Sequence, residues 1–309
     1  TVTAFANRVD LDNQSTLVIA KGADGSLDAD FADLTQDGGT RDRLSFDGRL
    51  TLRDDAPFGL SFQINVDDYS YQGLPDDSTL TDFTYARLGA AARFDITPVM
   101  QANLGVHFAK TINDADTSIG RYGIDAGLIL TQPNGQITID LAATNDDDGG
   151  QLHLSAGRSY TLEHTTASFG LGLSRATTDD IFLTGSASFE HQFGDDSRFG
   201  TLTATAERSL TREGRSDEDL VTSLSVSTNY ALSPLAGLNL SASYAQSENV
   251  ASGDSVDLVG ANLSVSYALN PDWSANAGIG IQSRDPSGEA ATESTTLSVG
   301  ITRTYDLRR

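Results

Sequence analysis

The sequence predicts an all-β fold: an antiparallel up-and-down transmembrane β-barrel of about 16 strands, with 14 to 18 also compatible. Three observations predict it. Apolar residues alternate with polar or tiny ones in fifteen successive runs from Arg41 onward. Short turns and longer acidic loops alternate between those runs, and one Pro-containing turn recurs only at the short-turn end.

Successive side chains of a strand point to opposite faces, so the apolar parity of each run defines one face. The first four runs are Leu44, Phe46, Gly48, Leu50, Leu52; Phe58, Leu60, Phe62, Ile64, Val66; Ala86, Leu88, Ala90, Ala92, Phe94; and Met100, Ala102, Leu104, Val106, Phe108. Five more cover 122–130, 137–143, 152–156, 167–173 and 181–193, and the last six cover 202–210, 220–230, 238–244, 259–267, 273–281 and 297–305. Many are longer than the roughly 5–6 residues of a globular strand and reach the roughly 9–11 that a membrane-spanning strand needs.

Short turns fall at 54–57, 95–98, 131–135, 158–162, 194–197, 232–234 and 269–271, and longer loops at 70–78, 113–117, 145–150, 177–180, 212–219, 248–254 and 284–293. The order of short and long connections suits a barrel meander better than a sandwich. Phe94-Asp95-Ile96-Thr97-Pro98, Tyr230-Ala231-Leu232-Ser233-Pro234 and Tyr267-Ala268-Leu269-Asn270-Pro271 share one pattern: an aromatic ends a strand, Ser, Thr or Asn starts the turn, and Pro sets its φ. An even strand count requires one more strand from residues 1–40. Residues 2–9 and 16–21 have β character, while Leu27, Phe31 and Leu34 fall at helical spacing behind Ser26. Residues 1–40 are thus expected to form the first strand and a long acidic, partly helical loop, and 41–309 the rest of a single barrel.

Composition narrows the function classes. With 43 Asp and Glu against 20 Lys and Arg, a net charge of −23 and a pI near 4.2, the chain lacks the basic surface that nucleic acid requires. The absence of cysteine excludes disulfides, thiolate metal sites and a Cys nucleophile. A mean hydropathy of −0.25 leaves no apolar run long enough for a spanning helix, an exclusion that does not extend to strands. The chain opens Thr1-Val2-Thr3-Ala4-Phe5 without a basic or apolar leader, which is consistent with a mature, already cleaved product and equally with a cytosolic one. Its four histidines, His107, His153, His164 and His191, have no metal-site spacing, and the acidic runs Asp76-Asp77 and Asp146-Asp147-Asp148 do not match a calcium loop. No metal and no cofactor is expected.

On the alternation, the turn-length order, the Pro turns and the strand-end aromatics, residues 41–305 resemble the porin-like outer-membrane β-barrel proteins of Gram-negative bacteria. The resemblance implies an outer-membrane location, with lipid and lipopolysaccharide as surroundings, small polar solutes or ions as cargo, and a homotrimer as one open assembly. Interfacial aromatics would be Phe94, Tyr230, Tyr267, Trp273 and Tyr305 on the periplasmic side and Phe108, Tyr122 and Tyr244 on the outer side. One departure is the tail Asp306-Leu307-Arg308-Arg309, where members of the family often end on an aromatic.

The opposite parity would line a wet lumen. It carries Arg41, Asp47, Arg49, Arg87, Arg93 and Arg121, then Asp125, Asp140, Glu190 and Glu207, and from residue 220 onward mostly Ser, Asn and Gly. Arg49 and Arg87 facing Asp125 and Asp140 across the bore would set up a transverse field favouring polar solutes; equally, these charges would pair along one wall. The expected function is passive diffusion of small polar solutes and ions. Alternatives are a dedicated export barrel, for an anionic polysaccharide or as an autotransporter translocator, and a soluble secreted β-sandwich or solenoid. His153-Leu154-Ser155 superficially resembles a His-x-Ser hydrolase pair, but its parity is inward and no third member stands out, so no enzyme is expected.

Overall fold

The computed structural model describes residues 2–10, 20–21, 27–28, 39–53, 56–74, 81–113, 118–146, 149–194, 198–211, 218–270, 272–288 and 290–303, with side chains from residue 39 onward. Sixteen strands form one antiparallel sheet in chain order, each hydrogen-bonded to the next. They are β1 (Val2–Asp10), β2 (Thr40–Leu52), β3 (Phe58–Gln72), β4 (Phe83–Thr97), β5 (Met100–Asn113), β6 (Ser118–Gln132), β7 (Gly135–Asp146) and β8 (Gly149–Thr161). The second half is β9 (Thr165–Arg175), β10 (Ile181–Gly194), β11 (Phe199–Thr211), β12 (Asp219–Ser233), β13 (Ala236–Asn249), β14 (Ser255–Asn270), β15 (Trp273–Pro286) and β16 (Thr292–Arg303). This is the up-and-down meander of a transmembrane barrel, and sixteen strands at their usual spacing and tilt give a backbone diameter of roughly 30 Å.

Burial is inverted relative to a soluble protein. On the apolar parity Leu44, Leu171 and Ile181 are 59%, 66% and 69% exposed, whereas Ser45, Thr111, Ser174 and Thr184 on the other parity are buried. A soluble sandwich would bury the first set and wet the second, so that alternative is overturned. The apolar belt faces outward, where only lipid can cover it.

The three Pro turns are one structure used three times. Each carries a register shift, between Asp95 and Thr97, Ala231 and Ser233, and Ala268 and Asn270. The residues skipped are Ile96, Leu232 and Leu269, all exposed aliphatics. The following Thr97 Oγ1, Ser233 Oγ and Asn270 Oδ1 accept hydrogen bonds from the amides of Val99, Leu235 and Asp272 at 3.3, 3.3 and 3.0 Å. The bulge absorbs the extra residue, and the polar side chain satisfies an amide that the ended ladder leaves over.

Three expectations change. Residues 145–150 are mostly strand, β7 running to Asp146 and β8 starting at Gly149, and residues 284–286 continue β15. Acidic composition suggested loops there, but the inward parity persists to Asp146 and Arg284, and both are buried. In the first connection, Leu27–Asp28 pair antiparallel with Ala20–Lys21, so these two residues are extended rather than helical; the remainder of the expected helix lies outside the described residues. Tyr305 also lies outside them.

An arginine placed on the lipid face at mid-strand should destabilise the barrel by about 2–4 kcal/mol. Leu171→Arg is therefore expected to lower the urea midpoint of the refolded protein, while the wild type migrates differently boiled and unboiled on a gel. Identical migration of the wild type would overturn a closed barrel.

Candidate functional site in the barrel lumen

Each inward side chain is positioned by cross-strand register. On β2, Arg41 and Arg43 stand at the outer end, with their guanidinium carbons 5.8 and 5.2 Å from the ring centre of Tyr69 on β3. Arg43 also donates from Nη2 and Nε to Asp67 Oδ1 at 2.9 and 3.0 Å. Asp47 accepts a hydrogen bond from Asn65 Nδ2 at 2.9 Å, and Arg49 pairs in register with Gln63. Arg87 on β4 stands between Asn65 and Ala109. Arg93 is a turn anchor, donating from Nη2 to the Ala56 carbonyl at 2.8 Å with Nε 3.5 Å from Asp95.

Arg121 on β6 pairs with Asp146 on β7, Nε to Oδ2 at 3.1 Å, with side chains only 12% and 3% exposed. Asp125 is 3.1 Å from His107 Nδ1 and within electrostatic reach of Arg87. Asp140 on β7 stands opposite Gly127 and Ser155. Two glycines shape this patch: a Cβ on Gly123 would come within 2.4 Å of the His107 ring, and one on Gly127 within 3.0 Å of Asp140 Oδ1. Both polar side chains therefore lie flat over a neighbour that has no side chain. Glu190 stands between Thr166 and Thr203, and Glu207 between Ser186 and Ser223.

Sheet order corrects the transverse arrangement. Arg49, Arg87, Asp125 and Asp140 occupy β2, β4, β6 and β7, at most five strands apart, whereas opposite walls of a sixteen-stranded barrel are eight apart. They share one arc, and several of its charges pair along it. Strand parity identifies the face of a residue but carries no information about its angle round the wall. The strands opposite β4, β6 and β7 are β12, β14 and β15. These present Ser223, Ser225, Ser227, Asn262, Ser264, Ser274 and Asn276, so a charged arc confronts a hydroxyl and amide arc.

Asp140, His153, Ser174, Thr184 and Glu207 line a concavity of 590 Å³ in the wall formed by β7 to β11. His153 Nδ1 is 2.8 Å from Ser174 Oγ on the adjacent strand, so its hydrogen-bond partner is not Ser155. The sequence pattern passed over four polar groups here. Asp67 was hidden by its Tyr-rich strand end, Asp146 and Arg284 by their acidic surroundings, and Glu218 by its place in a connection.

The aromatics form two outward bands. Phe94 packs on Phe58 at 5.2 Å, Tyr230 stacks on Phe193 at 5.9 Å, and the Arg303 guanidinium lies 5.2 Å from the Trp273 ring centre. Tyr267 is half-exposed at the same end. At the other end Phe108 and Tyr122 pair in register, Tyr122 Oη accepts from Asn145 Nδ2 at 2.9 Å, and Tyr244 Oη donates to Asp257 Oδ1 at 2.8 Å. Phe58, Tyr160 and Phe193 join the short-turn band, and their parity already marked them.

No family model matches the chain, and no curated protein matches its sequence. Among solved structures it is similar to "Copper transporter OprC", with a TM-score of 0.50 and 10% identity over 86% of this chain and 60% of that one. Its fold is that of the transmembrane β-barrels. At that identity the likeness concerns fold alone. Lesser likenesses are to the FrpB iron transporter from Neisseria meningitidis (TM-score 0.49, 10% identity, 92% of this chain and 56% of that one). The anion-selective porin from Comamonas acidovorans follows (0.32, 10%, 84% and 100%). The chain thus spans 60% and 56% of the two transporters.

Trp273 is the single tryptophan, at the short-turn end of β15 and 39% exposed. In lipid vesicles its fluorescence is expected to be quenched more by a headgroup-level quencher than by one at the acyl-chain end. The reverse order would remove it from the interfacial band.

Proposed function

We propose that the protein is an outer-membrane channel through which small polar solutes and ions diffuse along a water-filled lumen. The observation that carries this reading is the inverted burial: an exposed apolar outer face encloses a wall of Arg, Asp, Ser, Asn and Gly. A polar wall of that kind is stable only against water, and a sixteen-stranded circumference leaves room for it. Lipid and lipopolysaccharide are the surroundings of such a channel. The charged arc supplies weak ion preference: Arg43, Arg121 and His107 each stand beside a carboxylate on a neighbouring strand, and Arg49 and Arg87 add positive charge to the inward face of β2 and β4.

Copper transport, the role in the name of one similar structure, gains no support from the donor set. Soft thiolate and thioether ligands hold cuprous copper, and this chain has no Cys and one Met, Met100, on the outward parity. An enzymatic role gains none either, since Ser174, the partner of His153, is 5% exposed, too buried to act as an accessible nucleophile. A dedicated exporter of an anionic polymer is the second reading, favoured by the arginines gathered on β2 and β4.

Liposomes carrying the protein are expected to swell in sugars at rates that fall smoothly with solute size. Passage of a long polyanion alone would replace the diffusion reading with the exporter. In single-channel recording, Arg49→Ala with Arg87→Ala should shift the cation-to-anion permeability ratio toward cations by at least about twofold. Unchanged selectivity would remove both arginines from the permeation path.

A further inference from the structure

Glu218 precedes β12, in the connection from β11, yet it is buried to 4% exposure. Its carboxylate accepts hydrogen bonds from the Thr177 amide (2.9 Å to Oε2, 3.1 Å to Oε1) and from Thr177 Oγ1 (2.7 Å to Oε2). Gln151 Nε2 donates to Oε1 as well. The Glu218 carbonyl accepts from the amide of Val250 at 2.8 Å. One residue therefore ties together the β9–β10, β11–β12 and β13–β14 connections and the start of β8.

The direction of this tie follows from parity and sheet order. Gln151 sits on the inward parity of β8, and β12 is four strands away, a quarter of the ring. A side-chain contact between them passes on the lumen side of β9, β10 and β11, as a chord across the mouth. Burial agrees: Ser174, Thr184 and Ser223, inward residues on three of the strands spanned, are 5%, 3% and 7% exposed, and Ala176 is fully buried. Thr177 is seated by close packing as well, because a Cβ on Gly149 would lie 3.3 Å from the Thr177 Cβ.

We propose that Glu218 is a clasp that draws the outer connections inward and sets the cross-section of the channel, a proposal that rests on the diffusion reading above. Three side-chain-acceptor bonds to a charged group hold more tightly than neutral ones, and loss of the acceptor leaves the Thr177 amide unmatched. The solute class is unchanged; the size cut-off is what the clasp controls.

The test is single-channel conductance and sugar exclusion of Glu218→Ala against the wild type, with Glu163→Ala, an exposed residue at the short-turn end, as control. Retained heat-modifiable migration certifies folding. Glu218→Ala is expected to raise conductance by about twofold and to admit larger sugars, while Glu163→Ala matches the wild type. The chain has no cysteine, so Thr177→Cys with Glu218→Cys provides a second measurement: the oxidised pair should cross-link and conduct less than the reduced one. A conducting wild type with unchanged Glu218→Ala, or a cross-link whose reduction leaves conductance unaltered, overturns the clasp alone. Silence of wild type and Glu218→Ala together overturns the channel reading, and the clasp as its size filter with it.

Discussion

Lipid offers no hydrogen-bond partner to a peptide group, and the rest of this structure follows from that constraint. Every strand must find its partners in the next strand, so the chain meanders and sixteen strands share one sheet. The ladder fixes which parity meets lipid, and lipid then demands apolar residues at those positions. The other parity is released from that demand and filled with small polar residues that hold water. Even the bulged Pro turns obey the rule, since Thr97, Ser233 and Asn270 supply acceptors where the ladder stops.

Charge inside the ring follows a second logic. A charged side chain in a wet lumen need not be paired, yet several here are, and three of the pairs join neighbouring strands: Arg43 with Asp67, Arg121 with Asp146, His107 with Asp125. These contacts act like cross-strand pairs in any sheet, adding modestly to register and stitching β2 to β3, β6 to β7 and β5 to β6. The strands after β11 rely on Ser, Asn and Gly instead. One such contact is Asn239 Nδ2 donating to Asn229 Oδ1 at 2.5 Å, so register there is held by backbone and amide bonds.

What the sequence made legible follows from period and local chemistry. Alternation located fifteen strands and assigned their faces, and the repeated Pro pentapeptide marked a turn that proved to be one bulged geometry. Strand ends were less legible where acidic residues continued the inward parity, as at Asp146 and Arg284, because composition and period gave opposite signals there. Angular position round the wall was not legible at all. Arg49 and Asp125 alternate correctly whether they stand two or eight strands apart, and only the strand order decides. Glu218 escaped for a related reason: its partners lie 41 and 67 residues away, and no local pattern encodes that distance.

The glycines beneath His107 and Asp140 have a hydrodynamic consequence. Because Gly123 and Gly127 leave the wall hollow at those points, the imidazole and the carboxylate lie along it rather than standing out into the stream. In the proposed channel, a passing ion would meet their potential without meeting their bulk. If the barrel conducts as proposed, the charges on this arc would bias which ions enter while adding little drag to those that do, so preference and throughput would be set by different atoms of the same wall.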